Sequence, residues 1–339
     1  MSGGAAVAES VRAAGSHASV LDVTGLSVEF RMRDRVVRAV SDVTYQLHRG
    51  ETLAILGESG SGKTASARAI IGLLPVPPAV VTGSVRFRGE DLLSLPRGRR
   101  RRLCGDRLSM VFQDPLALNP VLTVGYQLAE IFRVHRGSSR RAAWAAAAEQ
   151  LDRVGIASAR SRLDDYPHQF SGGMRQRVMI AMAVALEPDV LIADEPTSAL
   201  DVTVQAQIIE LLHSLKVETN MSLILITHDL GVVAETAERV AVMYAGRIVE
   251  VGPVAEVFPR PAHPYTAGLM RSQPQVSRRG QLSPIPGAPP NLARLPSGCA
   301  FHPRCPHAQA ICIAERPALT RVAGDRASAC HFAERVLHG

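Results

Sequence analysis

The chain has 339 residues, 46% hydrophobic and 20% charged, and Lys+Arg 38 against Asp+Glu 31 give a net charge of +7. That length suits about two folding units, and the composition excludes a chain that stays unfolded throughout. The mild basic excess permits an anionic partner without selecting one, and the absence of any run of about 18 apolar residues excludes a membrane-spanning helix.

The first 17 residues lack a charged segment followed by an apolar one, so the sequence predicts no secretory signal and a disordered lead over 1–19. From Leu21 to Arg49 apolar residues alternate (Val28, Phe30, Val36, Val40, Val43, Tyr45), which predicts strands of an antiparallel sheet. Glu51 to Leu56 reads as a strand entering a Gly-rich loop, followed by a helix through Leu74. Pro75, Pro77, Pro78 and Gly83 break the chain before a strand over Ser84 to Arg88. Arg97 and Arg99 to Arg102 form a basic run with no interleaved aromatic residue, and read as a solvated face rather than a nucleic-acid site. Leu108 to Phe112 is an apolar run. Residues 122–186 are predicted mostly helical, with an Ala-rich packed helix around Trp144. Val190 to Ala193 and Leu223 to Ile226 are apolar runs of strand length; separated by helices, they indicate a parallel sheet covered on both faces. Arg239 to Gly252 reads as a hairpin turning at Ala245-Gly246. Thirteen of the 22 prolines lie beyond Gly252, and residues 297–339 hold four of the five cysteines. A boundary near 255 is therefore expected, with a small appended domain after it. An odd cysteine count without an export signal argues against a disulfide framework.

Gly57, Glu58, Ser59, Gly60, Ser61, Gly62, Lys63 and Thr64 fit the phosphate-binding pattern G-x-x-x-x-G-K-[ST], after a predicted strand and before a predicted helix. Triphosphate oxygens need backbone N–H groups aimed at them, and side chains there would block the approach. Lys63 supplies a mobile charge to the β- and γ-phosphates, and Thr64 a hydroxyl to Mg²⁺. Asp194 and Glu195 end a predicted strand. Asp194 is placed to hold the metal through its hydration shell, and Glu195 to polarise the attacking water.

Between these halves lies Phe170-Ser171-Gly172-Gly173-Met174-Arg175-Gln176-Arg177, which closely resembles the signature loop of ABC-type ATPases. In that family the helix opened by Ser171, Gly172 and Gly173 faces the γ-phosphate bound by a partner subunit. Gln113 resembles the Q-loop residue that senses Mg²⁺ and water. Ser198-Ala199-Leu200-Asp201 resembles the D-loop, and His228 the switch histidine on the γ-phosphate. The resemblance implies an α/β fold: an ABC-type P-loop NTPase with a mixed β core, an antiparallel β subdomain and an α-helical subdomain, plus a small Cys-containing C-terminal extension. It implies an ATPase domain over 20–255, its helical subdomain about 114–186, and a Pro-rich, Cys-rich tail over 256–339. The family stacks adenine on an aromatic side chain shortly before Ala39-Val40. Here Arg31, Arg33, Asp34 and Arg35 stand in that stretch, so ATP over GTP rests on resemblance.

Leu118-Asn119-Pro120, His263-Pro264-Tyr265-Thr266, Gly298-Cys299-Ala300-Phe301 and Arg304-Cys305-Pro306 are similar to the ATPase subunit of oligopeptide/dipeptide importers. That branch also includes nickel importers; a soluble non-transport ABC ATPase is the more distant alternative. The resemblance implies ATP and Mg²⁺ as cofactors. It also implies a heterodimer with a second, related ATPase subunit, two membrane permeases, an extracytoplasmic solute-binding protein, no nucleic acid, and a peripheral place on the cytoplasmic face of the membrane. Cys299, Cys305, Cys312 and Cys330 lack the short knuckles of most structural zinc sites. Their spacing allows four thiolates to converge on a [4Fe–4S] cluster, and members of the family carry one in this tail. Zinc, and then four reduced thiols without metal, are the alternatives.

Overall fold

The computed structural model describes residues 19–113, 117–198, 200–272 and 284–338. Apart from Ser19, the expected lead over 1–19 lies outside the described residues, as do Asp114, Pro115 and Ala199. The chain forms two compact units, one of the residues up to Ser94 together with those from Ile226 onward, the other Leu95–Leu225.

In the first unit β1 (Ser19–Arg31) and β2 (Val36–His48) pair antiparallel, with Val28 opposite Val40 and Leu26 opposite Val43. The predicted alternation is visible in β2, where Val40, Val43, Tyr45 and Leu47 are all buried. β3 (Thr52–Leu56) is buried along its whole length. It leads through the Gly-rich loop into α1 (Lys63–Ile71), which ends at Gly72 in the left-handed region (φ 76°), short of the expected Leu74. β4 (Ala79–Phe87) starts five residues earlier than expected, immediately after the last proline of the break. It pairs with β1 from Ala79 opposite Phe30, and β5 (Glu90–Asp91) completes the sheet order β2-β1-β4-β5.

The second unit opens with α2 (Arg97–Asp106), which carries the arginine run, buries none of its residues and is kinked at Cys104-Gly105. Then come β6 (Leu108–Val111), α3 (Val124–Arg136), α4 (Arg140–Arg153), α5 (Ala159–Arg162), α6 (Gly172–Val184), β7 (Val190–Asp194) and α7 (Val202–Thr219). Four of these helices begin where a Thr, Ser or Asp side chain accepts an orphan first-turn N–H: Thr123, Ser139, Ser171 and Asp201. In the Ala-rich helix α4, Ala143, Ala147, Ala148 and Leu151 are buried. β6 and β7 run parallel, and both are fully buried, as continuous apolar strands require.

β8 (Ser222–Thr227) carries the chain back into the first unit, where α8 (Leu230–Thr236) precedes the hairpin of β9 (Arg239–Tyr244) and β10 (Arg247–Pro253). Its turn is Ala245-Gly246, with φ 50° and 80°, the left-handed pair that a two-residue hairpin demands. After α9 (Val254–Val257) and α10 (Pro264–Arg271), the tail adds α11 (Ala310–Ala314), β11 (Thr320–Ala323), β12 (Arg326–Ser328) and α12 (Ala333–His338). Strands within this unit follow the order β11-β12-β10-β9-β3. The tail also shares a core with the strands before it: Tyr265, Met270 and Phe301 pack in one cluster with Val240, Val242 and Tyr244. Arg326, on β12, pairs with the fully buried Glu250 of β10 at 3.0 Å. Among the described residues, no helix is long and apolar enough to cross a membrane.

Candidate nucleotide site

In the first unit the phosphate-loop residues sit between β3 and α1, wedged by two neighbours. A Cβ on Gly57 would lie 2.3 Å from the Met243 carbonyl oxygen, and one on Gly62 (φ 104°) 2.4 Å from that of Ala39. No side chain fits at either position, so glycine is required by packing as well as by phosphate approach. The hairpin turn ties the loop down: the Gly246 N–H donates to the Ser61 carbonyl (2.9 Å), and the Gly246 carbonyl accepts from the Ser41 N–H (2.8 Å). Lys63 opens α1 and is buried, with Nζ donating to the carbonyls of Gly57 (2.8 Å) and Glu58 (3.1 Å). Thr64, beside it in the first turn, is half-buried. His228 is exposed just beyond β8, where Asp229 fixes the start of α8 by accepting the N–H groups of Gly231 and Val232.

The loop's only carboxylate, Glu58, is engaged from the tail. Both its oxygens accept from Arg304, Oε2 from Nη1 at 2.7 Å and Oε1 from Nη2 at 2.9 Å. Its N–H donates to the Tyr265 hydroxyl at 2.9 Å. In the sequence Tyr265 and Arg304 stand out only as parts of the two tail motifs. These contacts span 207 and 246 residues, and no local spacing announces them.

In the second unit, β7 ends on Asp194, which is fully buried. Glu195 follows in the left-handed region at φ 46°. A non-glycine residue there costs about 1–3 kcal/mol, a strain that characteristically marks functional sites. Glu195 Oε2 accepts from Gln113 Nε2 at 3.0 Å. Gln113 lies just past the end of β6, so both groups stand at the carboxyl ends of adjacent parallel strands, where ligands bind in open α/β sheets. The signature segment caps α6: Ser171 Oγ accepts from the Met174 N–H at 3.3 Å. Gly173 lies against α7, where a Cβ would stand 2.7 Å from Val204 Cγ1. Asp201 starts that second helix by accepting the Val204 N–H at 3.0 Å. The structure thus brings Gln113 to Glu195, and the start of the signature helix to the start of α7.

Cys299, Cys305, Cys312 and Cys330 are free thiols that line one pocket of the tail. Burial pushes the thiols of Cys299 and Cys305 up, and that of Cys330 to about 11. Among the described residues no group of three or more His, Cys, Asp or Glu side chains is arranged to hold a metal ion, so neither the iron–sulfur nor the zinc expectation gains a preformed ligand set. Cys104 stands apart, at the kink of α2.

The ABC transporter family profile matches residues 40–198, and that of the oligopeptide/dipeptide transporter C-terminal region matches 249–312. A Brucella melitensis protein provisionally named a peptide import ATP-binding protein is 51% identical over 329 residues, covering 93% of this chain and 97% of its own. The dipeptide transport ATP-binding protein DppD of Escherichia coli K12 is 48% identical over 316 residues, with coverage of 93% and 97%. Among solved structures, the ATP-binding cassette MJ0796, a dimer bound to ADP and Pi, superposes with a TM-score of 0.61 at 28% identity, covering 69% of this chain and 98% of that one.

Proposed function

The chain belongs to the ABC transporter ATP-binding proteins, in their oligopeptide/dipeptide branch, and on that premise we propose that it is the ATP-hydrolysing subunit that powers peptide import. The observation that carries the peptide assignment is the match of residues 249–312 to the oligopeptide/dipeptide C-terminal region. The chain divides by function into the ATPase over 20–255, with its helical part about 114–186, and the tail over 256–339. It works peripherally at the cytoplasmic face of the membrane, with two permeases, a solute-binding protein and a second ATPase subunit.

Each residue then has a task. Lys63 and the amides of Gly57 to Thr64 hold the β- and γ-phosphates and stabilise transition-state charge. Thr64, Gln113 and Asp194 offer only oxygen donors, the chemistry that suits Mg²⁺; when bound, the ion offsets phosphate charge. Glu195 takes the proton of the attacking water, and its hydrogen bond to Gln113 fixes which way the carboxylate points. Ser171, Gly172 and Gly173 present a helix N-terminus to the γ-phosphate held by the partner ATPase, Asp201 belongs to the D-loop-like segment facing that partner, and Gln113 and His228 report nucleotide state, His228 through the γ-phosphate. Closure on two ATP molecules drives the permeases, and hydrolysis reopens the pair.

The cluster at Cys299, Cys305, Cys312 and Cys330 belongs to the same proposal; its support is that four undisulfided thiols share one pocket. When bound, it would staple a Pro-rich tail and supply folding free energy. Anaerobically purified protein is expected to contain iron and sulfide and to absorb visible light; iron-free protein loaded with zinc refutes the cluster.

The functional test is purification from detergent-solubilised membranes, followed by reconstitution with the co-purifying permeases. ATP-dependent uptake of a labelled di- or oligopeptide is expected. Uptake of nickel with no peptide transport refutes the substrate assignment, and co-purification with ribosomes or DNA in place of permeases refutes the importer.

A further inference from the structure

Two tail motifs converge on a single residue of the phosphate loop. His263-Pro264-Tyr265-Thr266 sends the Tyr265 hydroxyl to the Glu58 N–H, and Arg304-Cys305-Pro306 sends a guanidinium to the Glu58 carboxylate. The guanidinium is held on every side. Its Nε donates to the Pro286 carbonyl (2.9 Å), its two terminal nitrogens make the fork on Glu58, and Nη1 also reaches the Tyr244 hydroxyl (3.4 Å). It stacks near the rings of Tyr244 and Phe301. The Arg304 side chain is 6% exposed and that of Glu58 24%, so the fork is partly shielded from water, which sets it apart from fully exposed ion pairs of little worth. A staple between tail and core could end on any surface carboxylate. This one ends on the acid that stands beside the Gly57 and Lys63 groups meant for a polyanion.

We propose that Arg304 is a positioning residue of the nucleotide site: it neutralises Glu58 and turns that carboxylate away from the phosphates, so that ATP affinity depends on the tail. The inference rests on the nucleotide reading of the loop and not on which solute is imported. A negative charge in a phosphate cradle repels a triphosphate unless a cation balances it, and a bidentate Arg both balances the charge and fixes its direction. Tyr265 adds a second constraint on the same residue through the backbone. Glu58 also presents its carbonyl to Lys63, so a displaced Glu58 moves the acceptor that holds the loop's own cation.

The test is a double-mutant cycle on the full chain, read as the Kd for Mg-ATP from a fluorescent-analogue competition, alongside KM, kcat and thermal stability. Arg304→Met keeps length and burial and strands the carboxylate; it is expected to weaken ATP binding about tenfold and to raise KM more than it lowers kcat. Glu58→Gln, isosteric and uncharged, sets the reference background of the cycle, in which adding Arg304→Met is expected to change the ATP Kd by less than about twofold. Glu58→Gln/Arg304→Met is expected to regain most of the affinity lost in Arg304→Met, because no charge remains to be balanced. Arg304→Lys, which keeps the charge without the fork, should fall between. If Arg304→Met lowers only thermal stability and leaves the ATP Kd unchanged, or if Glu58→Gln fails to rescue it, the proposal is overturned. Should Arg304→Met not fold, Arg304→Lys and its combination with Glu58→Gln complete the same cycle, and equal Kd values in those two variants overturn it. An unsubstituted chain that binds no ATP refutes the nucleotide reading itself, an outcome distinct from a flat cycle.

Discussion

Gly173→Ala adds one methyl group at the start of the signature helix, and the structure says what that methyl meets. Its Cβ would stand 2.7 Å from Val204 Cγ1, well inside the 3.4 Å at which ordinary contact begins, and its three nearest neighbours are all atoms of Val204. Overpacking of this kind costs about 1–3 kcal/mol. Replacing Gly by Ala in a helix returns up to about 1 kcal/mol of propensity, so the net loss lies between about 0 and 3 kcal/mol, and the rigid β-branched Val204 places it above zero. Relief is equally specific. In Gly173→Ala/Val204→Ala the nearest Val204 atom left is its Cβ, at 3.9 Å, an ordinary contact. Urea denaturation should therefore show Gly173→Ala destabilised and the double variant restored to within a few tenths of a kcal/mol of Val204→Ala alone. ATPase activity of the assembled complex should follow the same pattern, because the added methyl points at α7. A double variant that regains stability but remains inactive would refute this reasoning, and the glycine would then be needed for anion approach itself.

Glu195→Gln keeps an oxygen that can accept the 3.0 Å bond from Gln113 and removes the base; phosphate release should fall by about 10²–10⁴ with ATP binding retained, and near-normal release would remove Glu195 from that role. Arg326→Met strands Glu250, which is 0% exposed and whose other partners include the N–H groups of Ala262 and His263. Leaving that carboxylate without its cation should cost about 3–5 kcal/mol, and a loss below about 1 kcal/mol in chemical denaturation would mean that water reaches the pair. His263 is 1% exposed, its Nδ1 accepts the Tyr265 N–H at 3.0 Å, and burial pushes its pKa down to about 3. The unfolded chain takes up this proton below about pH 6.5 and the folded chain does not, so His263 makes stability fall as pH drops from about 6.5 toward 3, by up to about 1.4 kcal/mol per pH unit. His263→Asn should flatten the melting temperature between pH 7 and pH 5 relative to the unsubstituted chain; equal slopes would show that the ring is protonated in the fold.

The strands and helices that carry the motifs were legible because their causes are local. Five consecutive buried residues in β3, a loop that needs glycine, and a helix opened by Ser171 or Asp201 are written within a few positions of one another. The reasons behind several of those residues are not local. The sequence explains Gly57 by the room a phosphate needs, yet its missing side chain is also demanded by the Met243 carbonyl. Asp201 closes the D-loop-like segment in the sequence, and in the fold it is also the N-cap of α7. The early start of β4 followed from pairing with the long β1, which the pattern after Gly83 does not encode.

The tail shows the same division more sharply. Its composition pointed to a separate appendage, because many prolines and few apolar residues build a poor core by themselves. The structure answers that deficit by lending the tail a core: Tyr265 and Phe301 pack against Tyr244 with centroids 4.5 and 5.2 Å away, and β12 joins the sheet through β10. Once the tail is anchored on the strand that also shapes the phosphate loop, its polar residues arrive at that loop as a consequence of packing. Arg304 can reach Glu58 because Phe301, three residues earlier, is fixed in the shared core. A tail that were only an appendage would need neither the aromatic anchor nor a buried guanidinium aimed at Glu58. The presence of both ties its folding to the geometry of nucleotide binding, and predicts that substitutions of Phe301 weaken ATP affinity through Arg304 while leaving β7 and the Gln113–Glu195 contact intact.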